Sequence, residues 1–304
     1  MDQGRHILQK EKKSNKNKYN SAVKDSLKVK FLGVRGTMPA PYRGFLKYGG
    51  NTSCVEITSQ YGKEQVSLLF DAGTGIVKHA EQALLNGVRV FYLFLSHMHY
   101  DHIMGLTKFV PLFRLDCEIH IYGYAKCGLS LKEILEKYFV APFFPVEFNK
   151  LPSINNLYFH ELNRHSSVRV GHVQVEFQPL HHPQGAVAYK VWNYDKSSSV
   201  VYATDHEHGS KVDTSLKKFL QNVNLLIYDS TYSNMEYNNY VGWGHSTSFC
   251  GAHFAKDCKV KNYALFHHDP SHNDKHLEEV LLPEAKKIFK KSFLAKENMI
   301  FQIK

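Results

Sequence analysis

The sequence predicts an α/β protein whose sheet gathers polar residues at the ends of its strands. Short apolar runs rich in β-branched and aromatic residues recur along the 304-residue chain, as buried strands do. Segments of helical length lie between many of these runs. Most of the runs end in His or Asp, and open α/β sheets build their sites at such strand ends.

The predicted elements follow one another in a regular order. Strands are expected at 29–32, 54–57, 66–70, 90–95, 173–177, 187–192, 200–204, 225–228 and 263–266. Helices are expected from Ile76, from about Ile103, and at about 128–138, 213–221, 246–257 and 273–291. The long interval 124–169 is aromatic, and it could wall a pocket, form a dimer edge or belong to the core.

Four potential metal ligands follow the strand at 90–95, within His97-Met98-His99-Tyr100-Asp101-His102. In an extended His-x-His segment both imidazoles lie on one face, so one metal can bind both. The next turn directs Asp101 and His102 toward a second position, and metals in two-metal sites lie roughly 3.5–4 Å apart. The alternative is a chance cluster in a chain with 19 histidines. The pattern predicts half of a two-metal hydrolytic site.

The net charge of +10 is located at the two ends of the chain. Residues 1–30 hold nine Lys/Arg against three Asp/Glu, residues 281–304 hold six against two, and the body between them is neutral. Such ends are usually solvated, with a nucleic-acid arm as the alternative. Residues 1–27 have few apolar groups and are expected to be a disordered leader. Residues 28–304 are expected to form one domain.

Five cysteines without a Cys-x-x-Cys pair indicate reduced core thiols rather than ligands. No apolar run reaches the roughly 18–20 residues of a membrane span, and the N-terminus does not have the pattern of a signal sequence. We therefore expect a cytoplasmic protein that does not enter a membrane. A homodimer is left open.

With these positions in place, the chain resembles the metallo-β-lactamase superfamily over roughly residues 28–303. The resemblance rests on His-x-His-x-Asp-His at 97–102, His182-Pro183, Asp205 after a strand and the late His267. It implies a four-layer αββα sandwich with metals at one edge. The segments 33–39, 48–53 and 265–270 look like a bacterial branch that includes cyclic-nucleotide phosphodiesterases. Trp243-Gly244-His245-Ser246-Thr247 is similar to the His-Ser-Thr motif of ribonuclease Z.

The resemblance also implies a ligand set for two divalent ions. His97, His99 and His182 would hold one metal, Asp101, His102 and His267 the other, and Asp205 would bridge them. His181 is the alternative to His182, and His268 is the alternative to His267. Zinc is favoured and manganese stays open, because the set has no thiolate. The di-iron branch has Glu where this chain has His99, which favours hydrolysis over redox chemistry.

The expected reaction is phosphodiester hydrolysis. Two cations sharing a water lower its pKa toward about 7, which makes hydroxide available at neutral pH. Asp101 can orient that nucleophile, and His245 can aid the leaving oxygen with Asp229 fixing its tautomer. A helix-capping role for Ser246 or Thr247 is the alternative for the His245 motif. Asp71 is expected to accept a hydrogen bond from a ligand imidazole, with a simple turn role as the alternative.

One spacing bears on the substrate. In ribonuclease Z the arm that grips transfer RNA is inserted between the third-motif His and the bridging Asp. Only 22 residues separate His182 from Asp205, which suits two strands and a short turn. The sequence therefore favours a small cyclic nucleotide as the substrate. The alternatives are a ribonuclease Z-like RNA nuclease, a lactone or thioester hydrolase, and a non-catalytic nucleotide-binding module.

Overall fold

The computed structural model describes residues 25–125, 128–162 and 167–303. Its first sheet has the order β14-β1-β2-β3-β4-β5-β6. These strands are β1 (Asp25–Gly33), β2 (Cys54–Tyr61), β3 (Glu64–Phe70), β4 (Val90–Leu95), β5 (Glu118–Gly123), β6 (Leu157–Glu161) and, near the end of the chain, β14 (Ile300–Gln302). The strands from β3 to β6 are parallel, whereas β14 to β3 pair antiparallel.

The second sheet has the order β13-β12-β11-β10-β9-β8-β7. Its strands are β7 (Ser167–Val170), β8 (Val173–Leu180), β9 (Ala186–Trp192), β10 (Ser199–Ala203), β11 (Leu225–Asp229), β12 (Tyr263–Phe266) and β13 (Ser292–Leu294). The strands β10 to β13 are parallel. Each sheet thus contributes a parallel half, and the carboxyl ends of these parallel strands carry most of the predicted site residues.

The two sheets face each other across a core of large aromatic and aliphatic side chains. Phe70 of β3 lies 5.5 Å from Tyr189 and 5.9 Å from Tyr202 of the second sheet, measured between ring centroids. All three side chains are fully buried. Alternation along the strands directs one set of side chains to this core and the other set to an outer layer.

Helices cover the outer faces. The first sheet is covered by α1 (Ile76–Leu85), the single turn α2 (Tyr100–Ile103) and α3 (Leu131–Tyr138). The second sheet is covered by α4 (Val212–Phe219), α5 (Ser248–Asp257) and α7 (Leu282–Ile288), and the short helix α6 (Asp274–His276) precedes α7 without buried residues. A π-helical stretch at Leu277–Leu281 joins α6 to α7. Two outer cores and one central core make four layers, so the predicted αββα sandwich is confirmed. None of the described helices is long and apolar enough to span a membrane.

The N-terminal boundary differs from the sequence expectation. Strand β1 begins at Asp25, so residues 25–27 belong to the sheet rather than to the leader predicted for 1–27. Leu27 is fully buried, and its carbonyl accepts a hydrogen bond from Ile303 N–H. Because its neighbours in the sequence are polar, this single buried leucine was not recognised as part of a strand. Residues 1–24 of the predicted leader lie outside the described residues.

The interval 124–169 has mixed roles. Phe139 and Phe148 are buried in the outer core of the first sheet, which agrees with the core-packing alternative. Phe143 is 86% exposed and is not part of that core. Tyr138 lies 6.1 Å from Tyr100, the tyrosine inside the His97–His102 run, measured between ring centroids. A pocket-lining role for part of this interval stays a prediction.

Candidate metal centre

The predicted ligands converge at one edge of the sandwich, where strands from both sheets end. The run His97–His102 follows β4, His182 follows β8, Asp205 follows β10 and His267 follows β12. Asp205 and His267 have φ of 57° and 60°, and Asp71 after β3 has φ of 58°. This left-handed conformation turns the chain sharply at the sheet edge and directs each side chain toward the facing sheet.

One group of potential ligand atoms comes from His97, His99, His182 and Asp205. The Nε2 atoms of His97 and His182 lie 3.6 and 3.7 Å from Asp205 Oδ2. His99 Nδ1 lies 3.0 Å from His182 Nε2. Three imidazoles and one carboxylate oxygen therefore surround a single point.

A second group comes from Asp101, His102 and His267, with Asp205 again beside it. Asp101 Oδ2 is 3.1 Å from the Nε2 atoms of both His102 and His267. The same two nitrogens lie 3.3 and 3.2 Å from Asp205 Oδ1. Asp205 thus directs one oxygen to each group, which is the geometry of a bridging carboxylate.

The atoms at the middle of this cluster fit a pair of divalent cations. The Nε2 atoms of His97 and His102 are buried and have no hydrogen-bond partner among the residues that the structure describes. Such orphaned acceptors are unusual in a folded protein unless they bind something else. Five imidazoles and two carboxylates form a nitrogen and oxygen donor set suited to zinc or manganese. Within the described chain no cysteine belongs to either group.

The other ring nitrogen of each histidine is held by a neighbour. Such partners fix the tautomer and orientation of a ligand imidazole. The pairs are His97 Nδ1 with Ser96 Oγ at 3.0 Å, His99 Nε2 with Gln184 Oε1 at 3.0 Å, His102 Nδ1 with Asp71 Oδ2 at 2.7 Å, His182 Nδ1 with the Gly244 carbonyl at 2.7 Å, and His267 Nδ1 with Thr231 Oγ1 at 3.0 Å. Only Asp71 was singled out from the sequence.

Asp71 connects the two sheets beneath the cluster. Its Oδ2 accepts hydrogen bonds from Ser96 Oγ at 2.8 Å and from Tyr202 Oη at 2.7 Å, besides its contact with His102. Its Oδ1 accepts Ser96 N–H at 2.7 Å. Asp71 is fully buried, so each of these bonds compensates for lost hydration. The simple turn role considered from the sequence does not account for these contacts.

The electrostatics of the cluster follow from burial and from the close charges. Burial lowers the pKa of His97 far below its ordinary value and that of His182 to about 4. Both rings are therefore neutral at pH 7 and able to act as ligands. Burial alone would raise the pKa of Asp101, but His102 and His267 hold it well below its ordinary value. Asp101 is consequently a carboxylate.

His245 lies beside this cluster and is oriented by Asp229. Its Nδ1 is 2.9 Å from Asp229 Oδ2 and 3.8 Å from Asp205 Oδ2. Burial lowers the pKa of His245, but the charge and hydrogen bond of Asp229, with Asp205 and Asp101, outweigh this and raise it to about 9. Thr247 caps α5 by accepting Cys250 N–H at 3.0 Å. The motif therefore contains both a capping residue and a separate imidazole at the cluster.

The alternative histidines lie elsewhere. His181 is exposed, and its Nδ1 is 3.1 Å from the Glu207 carbonyl. His268 is buried on the far side of the strand end and donates from Nε2 to the Ala295 carbonyl at 3.0 Å. His206 contacts Asp213, and His208 contacts Ser246. The structure thus brings together all seven predicted ligands and leaves their sequence neighbours outside.

Comparison with known families agrees with this geometry. The family described as "Beta-lactamase superfamily domain" matches residues 67–268, about two thirds of the chain. The chain belongs to this superfamily. The superfamily resemblance drawn from the His-x-His-x-Asp-His motif is confirmed, and the chain is a metallo-hydrolase of the metallo-β-lactamase fold.

Individual proteins are similar over nearly their whole length. Ribonuclease Z of Picrophilus torridus is 26% identical, covering 91% of this chain and 96% of that protein. Ribonuclease Z of Pyrococcus abyssi is also 26% identical, covering 85% and 92%. The crystal structure of the metallo-β-lactamase fold protein YhfI from Bacillus subtilis superimposes with a TM-score of 0.68 at 20% identity, covering 92% of this chain and all of that one.

Proposed function

We propose that this protein is a metal-dependent phosphodiesterase that cleaves RNA, in the manner of its curated relatives. The observation that carries the proposal is the His245–Asp229 pair, held 2.9 Å apart beside the Asp205 cluster. A buried imidazole with a raised pKa suits protonation of a poor leaving group such as a ribose oxygen. The relatives named ribonuclease Z favour RNA over the small cyclic nucleotide that the sequence spacing favoured.

The seven clustered ligands would hold two divalent ions, with zinc as the first choice for their donor set. When bound, such ions supply Lewis acidity for phosphate oxygens and lower the pKa of a shared water. Asp205, with one oxygen toward each group, would hold the two positions at a fixed separation. Asp71, Ser96 and Thr231 would keep the imidazoles in their ligand orientation.

The other residues of the site move and hold protons. Asp101 accepts Thr37 N–H at 2.7 Å through Oδ2, so its carboxylate is fixed where it can orient an attacking water. His245 is held through Nδ1 by Asp229, which leaves its Nε2 proton for the departing oxygen. Asp229 is itself fixed by the hydroxyl of Thr231 at 2.8 Å. Asp101 therefore acts on the attacking water, whereas His245 acts on the departing oxygen.

A small cyclic nucleotide is the second candidate substrate, and one feature favours it. Between β9 and β10 the chain makes only the short turn 193–198. The arm by which ribonuclease Z grips transfer RNA would have to be inserted between His182 and Asp205, and this turn is too short for it. An RNA substrate would have to be gripped by other surfaces of this chain.

A substrate panel decides between these candidates. The metal-loaded protein would be assayed on precursor transfer RNA, cyclic AMP, cyclic GMP, 2′,3′-cyclic nucleotides and a cyclic dinucleotide. Endonucleolytic cleavage of the precursor with little turnover of the cyclic compounds supports the RNA proposal, and the reverse pattern overturns it. Asp205→Ala, prepared identically, must be inactive on every substrate, which excludes a contaminating nuclease.

A further inference from the structure

A second group of ligand atoms lies outside the Asp205 cluster, formed by Glu236, His272 and His276. Glu236 Oε1 is 3.2 Å from His272 Nε2, and Glu236 Oε2 is 3.9 Å from His276 Nε2. One potential ligand atom from each of the three residues lies within 4.8 Å of the others. We propose that these residues bind a further divalent metal ion, for which two imidazoles and one carboxylate suit zinc.

The backbone on each side of this group is held in place. The carbonyl of His272 accepts a 2.7 Å hydrogen bond from the buried guanidinium of Arg35. The N–H of His276 donates to Asn273 Oδ1 at 2.9 Å, which caps α6. Glu236 Oε1 accepts Ser233 N–H at 3.0 Å. Little conformational freedom would be lost on binding, as in a site built for its ligand.

The His276 nitrogen that faces Glu236 is free for a metal, whereas the Nε2 atom of His272 is paired with Glu236. His276 Nε2 and His272 Nδ1 are buried and have no hydrogen-bond partner within the described part of the chain. The two rings are stacked with centroids 4.0 Å apart. Burial, together with the neighbouring His272, lowers the pKa of His276, so its ring is neutral at pH 7 and able to coordinate. A simple Glu236–His272 ion pair would not explain why the His276 imidazole also faces this carboxylate, with Nε2 3.9 Å from Glu236 Oε2.

Such a metal would join two segments that border the first centre. Glu236 lies in segment 233–243, which leads directly into Gly244, the partner of His182, and into His245. His272 and His276 lie in the segment that follows His267 at the end of β12. A cation shared by these segments would fasten the chain that carries His245 to the chain that carries a ligand of the first centre. The inference does not depend on which phosphodiester is cleaved.

Metal counting on untagged protein tests the site. Wild type, His276→Ala and the control His253→Ala would be loaded with zinc, freed of excess metal and analysed for zinc per chain. His253 is a partly buried histidine on α5 outside every candidate ligand group. We expect His276→Ala to hold one zinc fewer than wild type and His253→Ala to hold the same number. Equal zinc in all three proteins overturns the site.

A second variant separates metal loss from misfolding. Glu236→Gln keeps a carbonyl oxygen for Ser233 N–H but removes the charge. It should lose the same single equivalent while its circular dichroism and remaining zinc match wild type. Zinc should also raise the melting temperature of wild type further than that of His276→Ala, because the extra ion binds only the folded state. Glu236→Gln with a full zinc content and an unchanged zinc-dependent melting shift would contradict the proposal.

Discussion

His245 is the residue on which the phosphodiesterase proposal depends most directly. If it protonates the leaving oxygen, His245→Ala should reduce turnover of a substrate with a poor leaving group by about 10²–10³, or roughly 2.7–4 kcal/mol. An aryl phosphodiester needs less protonation and should lose less. Steady-state kinetics on RNA and on bis(p-nitrophenyl) phosphate would measure both losses.

The control for this variant is His208→Ala, which removes a neighbouring histidine that contacts Ser246 rather than the cluster. It should keep most of the turnover on both substrates. Equal losses on the two substrates in His245→Ala would mean that the imidazole only positions phosphate. Retained turnover of RNA would remove His245 from the mechanism.

Asp229 raises the proton affinity of His245. It therefore sets the pH above which His245 can no longer donate a proton. In the metal-free protein the pKa of His245 is raised from 6.5 to about 9, so the proton is present below pH 9 and is lost as pH rises through that value. Its contribution to stability is likewise complete below pH 6.5 and disappears through about pH 9. Asp229→Asn removes the charge that opposes burial, and the pKa of His245 should fall.

The measurement is the pH profile of kcat/KM for wild type and Asp229→Asn. The alkaline limb should move to lower pH in the variant, while the hydrogen bonds that Thr231 and Ser246 make to position 229 can be kept by the amide oxygen. An alkaline limb at the same pH in both proteins would contradict the assignment.

At the scale of residues, the sequence identifies the metal ligands more completely than the residues that hydrogen-bond to them. His97, His99, Asp101 and His102 lie within six residues, and the other ligands come directly after predicted strands. Ser96, Gln184 and Thr231 have no such signal, because their role arises from contacts that close only when distant segments meet. The Glu236 group was missed for the same reason.

At the scale of elements, β3 and β10 are joined through Asp71 and Tyr202. Tyr202→Phe removes the 2.7 Å bond to Asp71 and should lower the free energy of unfolding by about 1–2 kcal/mol. Because Asp71 also orients His102, metal affinity should fall by about 10–100-fold. Chemical denaturation and competition with a chelator would measure the two effects.

Tyr189→Phe provides the matched control. Its hydroxyl also crosses between the sheets, to the Leu95 carbonyl at 2.7 Å, but does not touch Asp71. It should lose comparable stability and keep its metal affinity. A similar fall in metal affinity in both variants would show that the sheet packing as a whole, rather than Asp71, tunes the centre.

The strands that the sequence did not identify lack a long apolar run. Strand β5 alternates Glu118, His120 and Tyr122 with isoleucines and glycine, so it lacks the continuous apolar run by which other strands were predicted. Strands β13 and β14 have three residues each, too few for a period to appear. Strand β13 forms by pairing with β12, and β14 forms by pairing with β1. The apolar strands β4 and β11 were predictable because a parallel strand buried inside a sandwich is a nearly continuous apolar run.

For the whole molecule, the N-terminal boundary leads to a paired deletion. Removing residues 1–24 should leave the melting temperature and the turnover of a small aryl phosphodiester unchanged, because that segment has few apolar groups to add to a core. Removing residues 1–27 also deletes Leu27, and loss of a fully buried leucine costs about 2–5 kcal/mol. Thermal denaturation of the two truncations measures the difference. Equal melting temperatures would place the boundary after Leu27.

The left-handed residues at the three strand ends restrict which sequences can occupy this edge of the sandwich. Asp71, Asp205 and His267 have a conformation that Gly, Asn, Asp and His tolerate and that β-branched residues avoid. A library randomised at Asp205 and His267 and selected for folding alone should therefore return glycine and asparagine. Valine and isoleucine should be absent from it, although they are common within strands. The backbone conformation alone therefore limits which residue types can occupy these strand ends, whether or not a metal is bound.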